Sequence, residues 1–289
     1  MPSIATLLKE ATEPTLSVEF FPPKTEAGEA QLTRTLAELR EAHVPLTFAS
    51  VTYGAGGSTR ERTRDLVVEM NNAESYPAMA HLTCVGHTKA ELEALLDDYA
   101  SAGIRNILAL AGDPPADGSP ARGDFTYALE LVELIRGRNE GFSVGVAAHP
   151  ELHPRSTLRN EDRQHLAAKL AIADFGVSQF FFDADHYFRM VEEVERETPG
   201  QQRQPDPPWD HAAHQPRWGQ ADDGNGRRNI PDRTSLLALE AASETDRPKI
   251  VIDAAVRLCR CLIDGGAPGL HLYSLNRSET VLAIIDELG

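Results

Sequence analysis

Cysteine is scarce in this chain: three, Cys84, Cys259 and Cys261, among 289 residues. A small, odd number builds no disulfide framework, so the expected home is a reducing cytoplasm. Cys259 and Cys261 are at most half of a metal site, and two positions on one helix is the plainer reading; no metal is expected. Positive charge is short as well. Twenty-eight Lys and Arg stand against 44 Asp and Glu, for a net charge of −16. That balance argues against nucleic acid and anionic membranes as partners, and it requires any anionic substrate to find a locally positive pocket. No apolar run reaches the ~18 residues of a membrane span. The first ten residues, which include Lys9 and Glu10, have no signal-peptide core.

What is present is hydrophobic material, 41% of the chain, enough for one large core. Its pattern is regular. Short β-rich runs at residues 16–21, 48–52, 78–84, 106–112, 143–148, 178–183 and 269–274 alternate with longer runs of helical period. The helical runs fall at 27–42, 59–72, 89–102, 125–138, 160–174, 186–197, 249–263 and 279–288. A strand followed each time by a helix predicts parallel strands joined by right-handed crossovers. The expected fold class is α/β, a single-domain (β/α)8 TIM barrel over residues 1–289. Seven strands are legible, and a barrel of this type closes with about eight.

The eighth belongs between 183 and 269, where residues 198–236 hold almost no aliphatics and much Pro, Gln, Asp, Arg and Gly. As written, the stretch is a disordered insertion. A second reading is a frameshift that replaces the seventh β/α unit. Read from the second base of each codon, Trp209 followed by Asp210 must give Gly. Permissible codons then yield Pro-Gly-Ile-Met-Pro-Leu-Thr-Asn, followed by an amphipathic helix.

Polar residues at the C-terminal ends of barrel strands are the ones to weigh for chemistry. Glu19, in Ser17-Val18-Glu19-Phe20-Phe21, is a carboxylate among apolar strand neighbours. It is either a structural acid paired with a Lys or Arg, or a general acid whose proton affinity burial raises. Thr52 and Tyr53 lead into the glycine-rich turn 54–57, a place for an anion or a plain β/α turn. His81 and Thr83 share one face of their strand. Gly112 and Asp113 end the fourth strand before two prolines, and Asp113 can grip an N–C–N edge, steady a cation, or simply form the turn. His149 and His153 are too proline-flanked for a helical metal pair. Gln179 can meet a heterocycle edge. Tyr273 lies in the last strand and Arg277 follows it, where Arg277 either binds a carboxylate tail or opens a solvated helix.

As an ordered set these motifs resemble the methylenetetrahydrofolate reductase family. They are S-V-E-F-F-P-P-K, S-V-T-Y-G-A-G-G-S, H-L-T-C, L-A-G-D-P-P, V-A-A-H-P-E-L-H-P, S-Q-F-F-F-D and H-L-Y-S-L-N-R, spread over residues 17–277. The shifted reading of 198–236 also looks like the family's seventh-strand motif. The resemblance implies reduction of 5,10-methylenetetrahydrofolate to 5-methyltetrahydrofolate. It implies Glu19 as the acid that opens the imidazolidine ring and Asp113 as the carboxylate beside the pterin and the cation. Gln179, Tyr273 and Arg277 become substrate contacts, and Thr52, Tyr53, His81, Gly112, His149, His153 and Lys169 line a cofactor site.

Typical bacterial members hold FAD and take hydride from NADH. Where they carry an Arg before Gly-Asp, this chain has Ala111; where they carry Tyr, it has His149. Of their Asn, Arg and Lys on the next helix, the aligned positions here are His165, Ala168 and Lys169. Losing two arginines weakens a pyrophosphate site. The expectation is therefore a flavin-free variant with NADH or NADPH giving hydride directly. An ordinary FAD enzyme, or a defective folate-binding barrel if 198–236 is real, are the alternatives.

Overall fold

The structure is a computed structural model and describes residues 1–54, 60–113, 123–138, 141–197, 243 and 246–289. It begins with a helix that the sequence reading left out, α1 (Ile4–Glu10), capped by the Ser3 hydroxyl, which accepts from the Thr6 N–H at 3.1 Å. The chain then alternates β1 (Thr15–Phe20), α2 (Glu26–Glu41), β2 (Phe48–Val51), α3 (Arg60–Ala73), β3 (Ala78–Thr83), α4 (Lys89–Ser101), β4 (Asn106–Leu110) and α5 (Ala128–Arg136). It continues with β5 (Ser143–Ala148), α6 (Arg159–Leu170), β6 (Phe175–Ser178), α7 (Ala184–Glu197), α8 (Arg247–Asp264), β7 (Gly269–Tyr273) and α9 (Ser278–Leu288).

The seven strands pair in parallel, in the order β6-β5-β4-β3-β2-β1-β7. This is a nearly closed barrel, and among the described residues β6 and β7 are its two edges. Residues 198–236 lie outside the described residues.

Period two divides each strand between two cores. Val18, Phe20, Val51, Leu82, Ile107, Val146 and Leu272 face the helices. Phe48, Met79, Leu108, Phe175 and Val177 face inward and meet Ile4 and Leu8 of α1. Seven residues of helix are too few to persist alone, but burying two aliphatic side chains contributes about 1.5–3 kcal/mol each. The helix is also pinned. The Ile4 N–H donates to Asn106 Oδ1 at 2.8 Å and the Ala5 N–H to Ser143 Oγ at 3.0 Å, so the starts of β4 and β5 satisfy its orphan donors. α1 thereby closes the N-terminal mouth, and Gly145 leaves room for Phe175 to fill it: a Cβ there would lie 2.5 Å from that ring.

Several boundaries differ from expectation, α6 ending at Leu170 and β4 at Leu110 among them, and two show their cause. β6 runs Phe175–Ser178, not 178–183, because Asp174 opens the pairing. Its carboxylate accepts from the Val144 N–H at 2.6 Å and its own N–H donates to Val144 O at 2.8 Å. The Phe180–Phe182 run therefore lies beyond the strand. α5 starts at Ala128 because the Glu130 carboxylate caps the N–H groups of Thr126 and Tyr127, both at 2.7 Å. Cys259 and Cys261 do lie together on α8, one buried and one exposed. Among the described residues no helix is long and apolar enough to cross a membrane.

Candidate active site

Register brings the inward side chains of three strands to one spot. Ser17 lies opposite His271 and Phe48, and Glu19 opposite Tyr273 and Ser50. Glu19 is 3% exposed. The Ser50 hydroxyl donates to its Oε2 at 3.3 Å. The Nε2 atoms of His81 and His271 stand 3.4 and 3.6 Å from the same oxygen, and that of His81 is not aligned for a hydrogen bond. Burial pushes the His81 imidazole below its ordinary value, with Glu19 opposing. Burial takes His271 down to about 3. Both rings are neutral near pH 7, so these neighbours add dipoles but no charge.

Just above, the Tyr273 hydroxyl donates to Gln179 Oε1 at 3.0 Å, and the Phe180 N–H donates to the same oxygen at 2.9 Å. That leaves the Gln179 amide nitrogen with its hydrogens for other acceptors. The rings of Phe21, Phe180 and His271 each lie 6.4 Å from that of Tyr273, an aromatic slot suited to a flat heterocycle. Asn276 holds its edge: its side chain accepts from the Phe21 N–H at 2.9 Å and donates to Phe21 O at 2.8 Å. Leu275 and Asn276 have positive φ, 49° and 56°, a tight turn that ends with Arg277 exposed at the start of α9.

The second group of expected residues gathers at β4, β5 and α6. The His149 and His153 rings pack edge-on, 4.6 Å apart. Burial lowers both, His149 well below the ordinary value, with neighbouring positive groups adding to the effect. Asp113 is close enough to oppose this at His153. Lys169 Nζ donates to Ala147 O at 2.6 Å, and enclosure takes its pKa down to about 8. The loop is built on Arg163, which donates to the carbonyls of His149 and Pro150 at 3.0 and 2.8 Å and to Asp162 and Glu193 at 2.7 and 2.8 Å. Gly112 has φ +88°, and a Cβ there would lie 2.9 Å from that of Thr83, so only glycine fits. Tyr53 is buried without a hydrogen-bond partner for its hydroxyl among the described residues, and burial raises its pKa to about 12. Thr52 lies beside it, its carbonyl accepting from Thr63 Oγ1 at 2.9 Å. Among the described residues no group of three His, Cys, Asp or Glu is placed to hold a metal.

The sequence reading missed Ser17, Ser50, His271, Asn276 and Arg163. Period two was the available signal for the first and third, stepping back from Glu19 to Ser17 and from Tyr273 to His271.

Comparison with known proteins gives one direction. The profile of the family described as "Methylenetetrahydrofolate reductase" matches residues 4–202 and 226–289. The "5,10-methylenetetrahydrofolate reductase" of Salmonella typhimurium is 33% identical over 283 residues, 95% of this chain and 90% of that protein. "Methylenetetrahydrofolate reductase 1" of Schizosaccharomyces pombe is also 33% identical, over 95% of this chain but 46% of its own length. The chain thus spans about half of that yeast relative and nine-tenths of the bacterial one. Among solved structures, an uncharacterized protein from Clostridium thermocellum that binds two copies of 5-methyl-5,6,7,8-tetrahydrofolic acid superposes with a TM-score of 0.59 at 11% identity, covering 99% of this chain and 97% of that one. That likeness shows the fold.

Proposed function

This chain belongs to the methylenetetrahydrofolate reductase family, a family of oxidoreductases, and from that premise we propose that it reduces 5,10-methylenetetrahydrofolate to 5-methyltetrahydrofolate with hydride taken directly from NADH or NADPH. The observation that carries the reading is Glu19: a carboxyl 3% exposed, at the C-terminal end of β1, beside the Gln179–Tyr273 pair. Its proton opens the imidazolidine ring at a ring nitrogen and leaves an iminium, a step for which a placed acid is worth about 10²–10⁴ in rate. Asp113, beyond the end of β4 and near His153, is assigned as the carboxylate that steadies this cation. Gln179 offers its amide hydrogens to the pterin, and Arg277 meets the carboxylate tail. Reduced nicotinamide supplies the hydride that turns the methylene carbon into methyl.

The residues present fit FAD poorly. Ala111 and Ala168 offer no side-chain cation, Lys169 directs one of its three N–H donors to the Ala147 carbonyl, and His149 and His153 are neutral. A pyrophosphate therefore meets fewer charge-assisted donors, Lys169 and Arg155 being nearby cations. The visible spectrum of the purified protein tests this. The expected result is no flavin band, with NADH consumed only when methylenetetrahydrofolate is present. A stoichiometric flavin band, bleached by NADH and restored by the folate, overturns direct transfer and leaves the ping-pong reaction.

Residues 198–236 enter the same reading as an out-of-frame stretch that stands for the seventh β/α unit, with eight strands then closing the barrel. Support comes from the family match, which breaks over 203–225 and resumes inside the stretch at 226. Peptide mapping of the native protein tests it, and peptides carrying the written sequence around Trp209 overturn it. A cytoplasmic home accords with three free thiols.

A further inference from the structure

We propose that Ser17, His271 and Ser50 form a one-way hydrogen-bond chain that holds the proton on Glu19, making them positioning residues for its acid step. The inference rests on Glu19 being the acid, as argued above.

The direction follows from the end of the chain. Ser17 Oγ lies 3.1 Å from Leu270 O, which only accepts, and 2.7 Å from His271 Nδ1. With the Ser17 hydrogen on Leu270 O, the serine oxygen accepts from Nδ1–H, and the neutral ring presents a bare Nε2. Ser50 Oγ is 3.2 Å from that Nε2 and 3.3 Å from Glu19 Oε2, yet it has a single hydrogen. When Glu19 is protonated, its O–H donates to Ser50, Ser50 to Nε2, Nδ1–H to Ser17 and Ser17 to Leu270 O. Every donor is used. Once the proton has passed to the substrate nitrogen, the Ser50 hydrogen turns to the carboxylate and Nε2 loses its donor. With the ring kept as Nδ1–H by Ser17, the chain is complete only in the acid-ready state. His271 is 0% exposed, so no water repairs the loss, and an unmet buried group is costly. Among the described residues, His81 on β3 and Tyr273 on β7 also face Glu19.

Two measurements test this. Nitrogen-15 NMR of histidine-labelled wild-type protein reads which ring nitrogen of His271 carries hydrogen. Nδ1–H is expected, and Nε2–H overturns the chain whether or not the protein is a reductase. The pH profile of single-turnover reduction is then compared for wild type, Ser17→Ala and Glu19→Gln. Without Ser17 the ring is free to present Nε2–H to the carboxylate, so the alkaline limb is expected to move down by about one pH unit. An unmoved limb in an active Ser17→Ala protein also overturns it. A wild type inactive on the folate sinks the proposed reaction instead and leaves the NMR result to judge the chain.

Discussion

The two arcs of the barrel mouth are made differently. On the β1–β2–β3–β7 side, Glu19, Ser50, His81 and His271 sit on strands, inside the barrel, with positions fixed by register. On the β4–β5–α6 side, His149 and His153 sit on a loop whose shape depends on one guanidinium, Arg163. The first arc suits proton transfer, which tolerates little displacement. The second suits a ligand that must enter and leave. The comparison breaks most visibly at Glu19. Glu19→Gln keeps the shape but has no acidic proton, so kcat is expected to fall by about 10²–10⁴, while binding of reduced nicotinamide, read by fluorescence titration, stays within about threefold of wild type. A Glu19→Gln protein with near-normal turnover would place the acid elsewhere.

The opposite arc breaks through stability. Arg163 is 1% exposed and pairs with Asp162 and Glu193. Arg163→Met fills the space but leaves Asp162, 6% exposed, without its cation, at a cost of about 3–5 kcal/mol. Chemical denaturation checks this. Below the transition, KM for the nicotinamide is expected to rise more than kcat falls, because the damaged loop belongs to the second arc. Equal changes in both would mean that the arcs are one unit.

A smaller effect shows in the pH dependence of stability, to which buried histidines of both arcs contribute. His271 titrates near 3 in the fold, against an ordinary 6.5. Between these values the unfolded chain binds a proton that the folded one refuses. The contribution is therefore whole above about 6.5 and is lost as pH falls toward about 3, at up to ~1.4 kcal/mol per pH unit. His271→Gln removes this dependence, so its unfolding free energy should fall less steeply than wild type between about pH 6.5 and about pH 4.5. Parallel slopes would mean that the buried ring is already charged.

Much of the barrel was legible because parallel strands buried on both faces read as apolar runs, and the helices between them kept their period. The errors have physical causes. The Phe180–Phe182 run is as apolar as a strand, yet pairing is set by Asp174 seven residues after Ala167, on the far side of a turn the composition does not mark. α1 escaped because its seven residues show one cap and bury only two aliphatics, and its stability comes from the barrel floor. Glu19 and Tyr273 were readable as polar residues at strand ends, whereas Gln179 was read near the start of a strand over 178–183 and stands just past the end of β6. The Ser17–His271 bond was not, since it joins residues 254 positions apart, and only register makes them neighbours.

The mildest test lies on the rim of the first arc, at Arg277. It is exposed, at the start of α9, and an ion pair in water contributes under about 1 kcal/mol. Arg277→Ala is therefore expected to raise KM for the folate about threefold to fivefold and to leave kcat unchanged. The control is a substrate trimmed of its glutamate tail. If the guanidinium meets the tail carboxylate, wild type and variant handle the trimmed substrate alike, and added salt narrows the difference seen with the full one. If the variant is equally impaired on both, Arg277 acts by shaping the turn at Leu275 and Asn276, and the rim then belongs to the same rigid arc as Glu19.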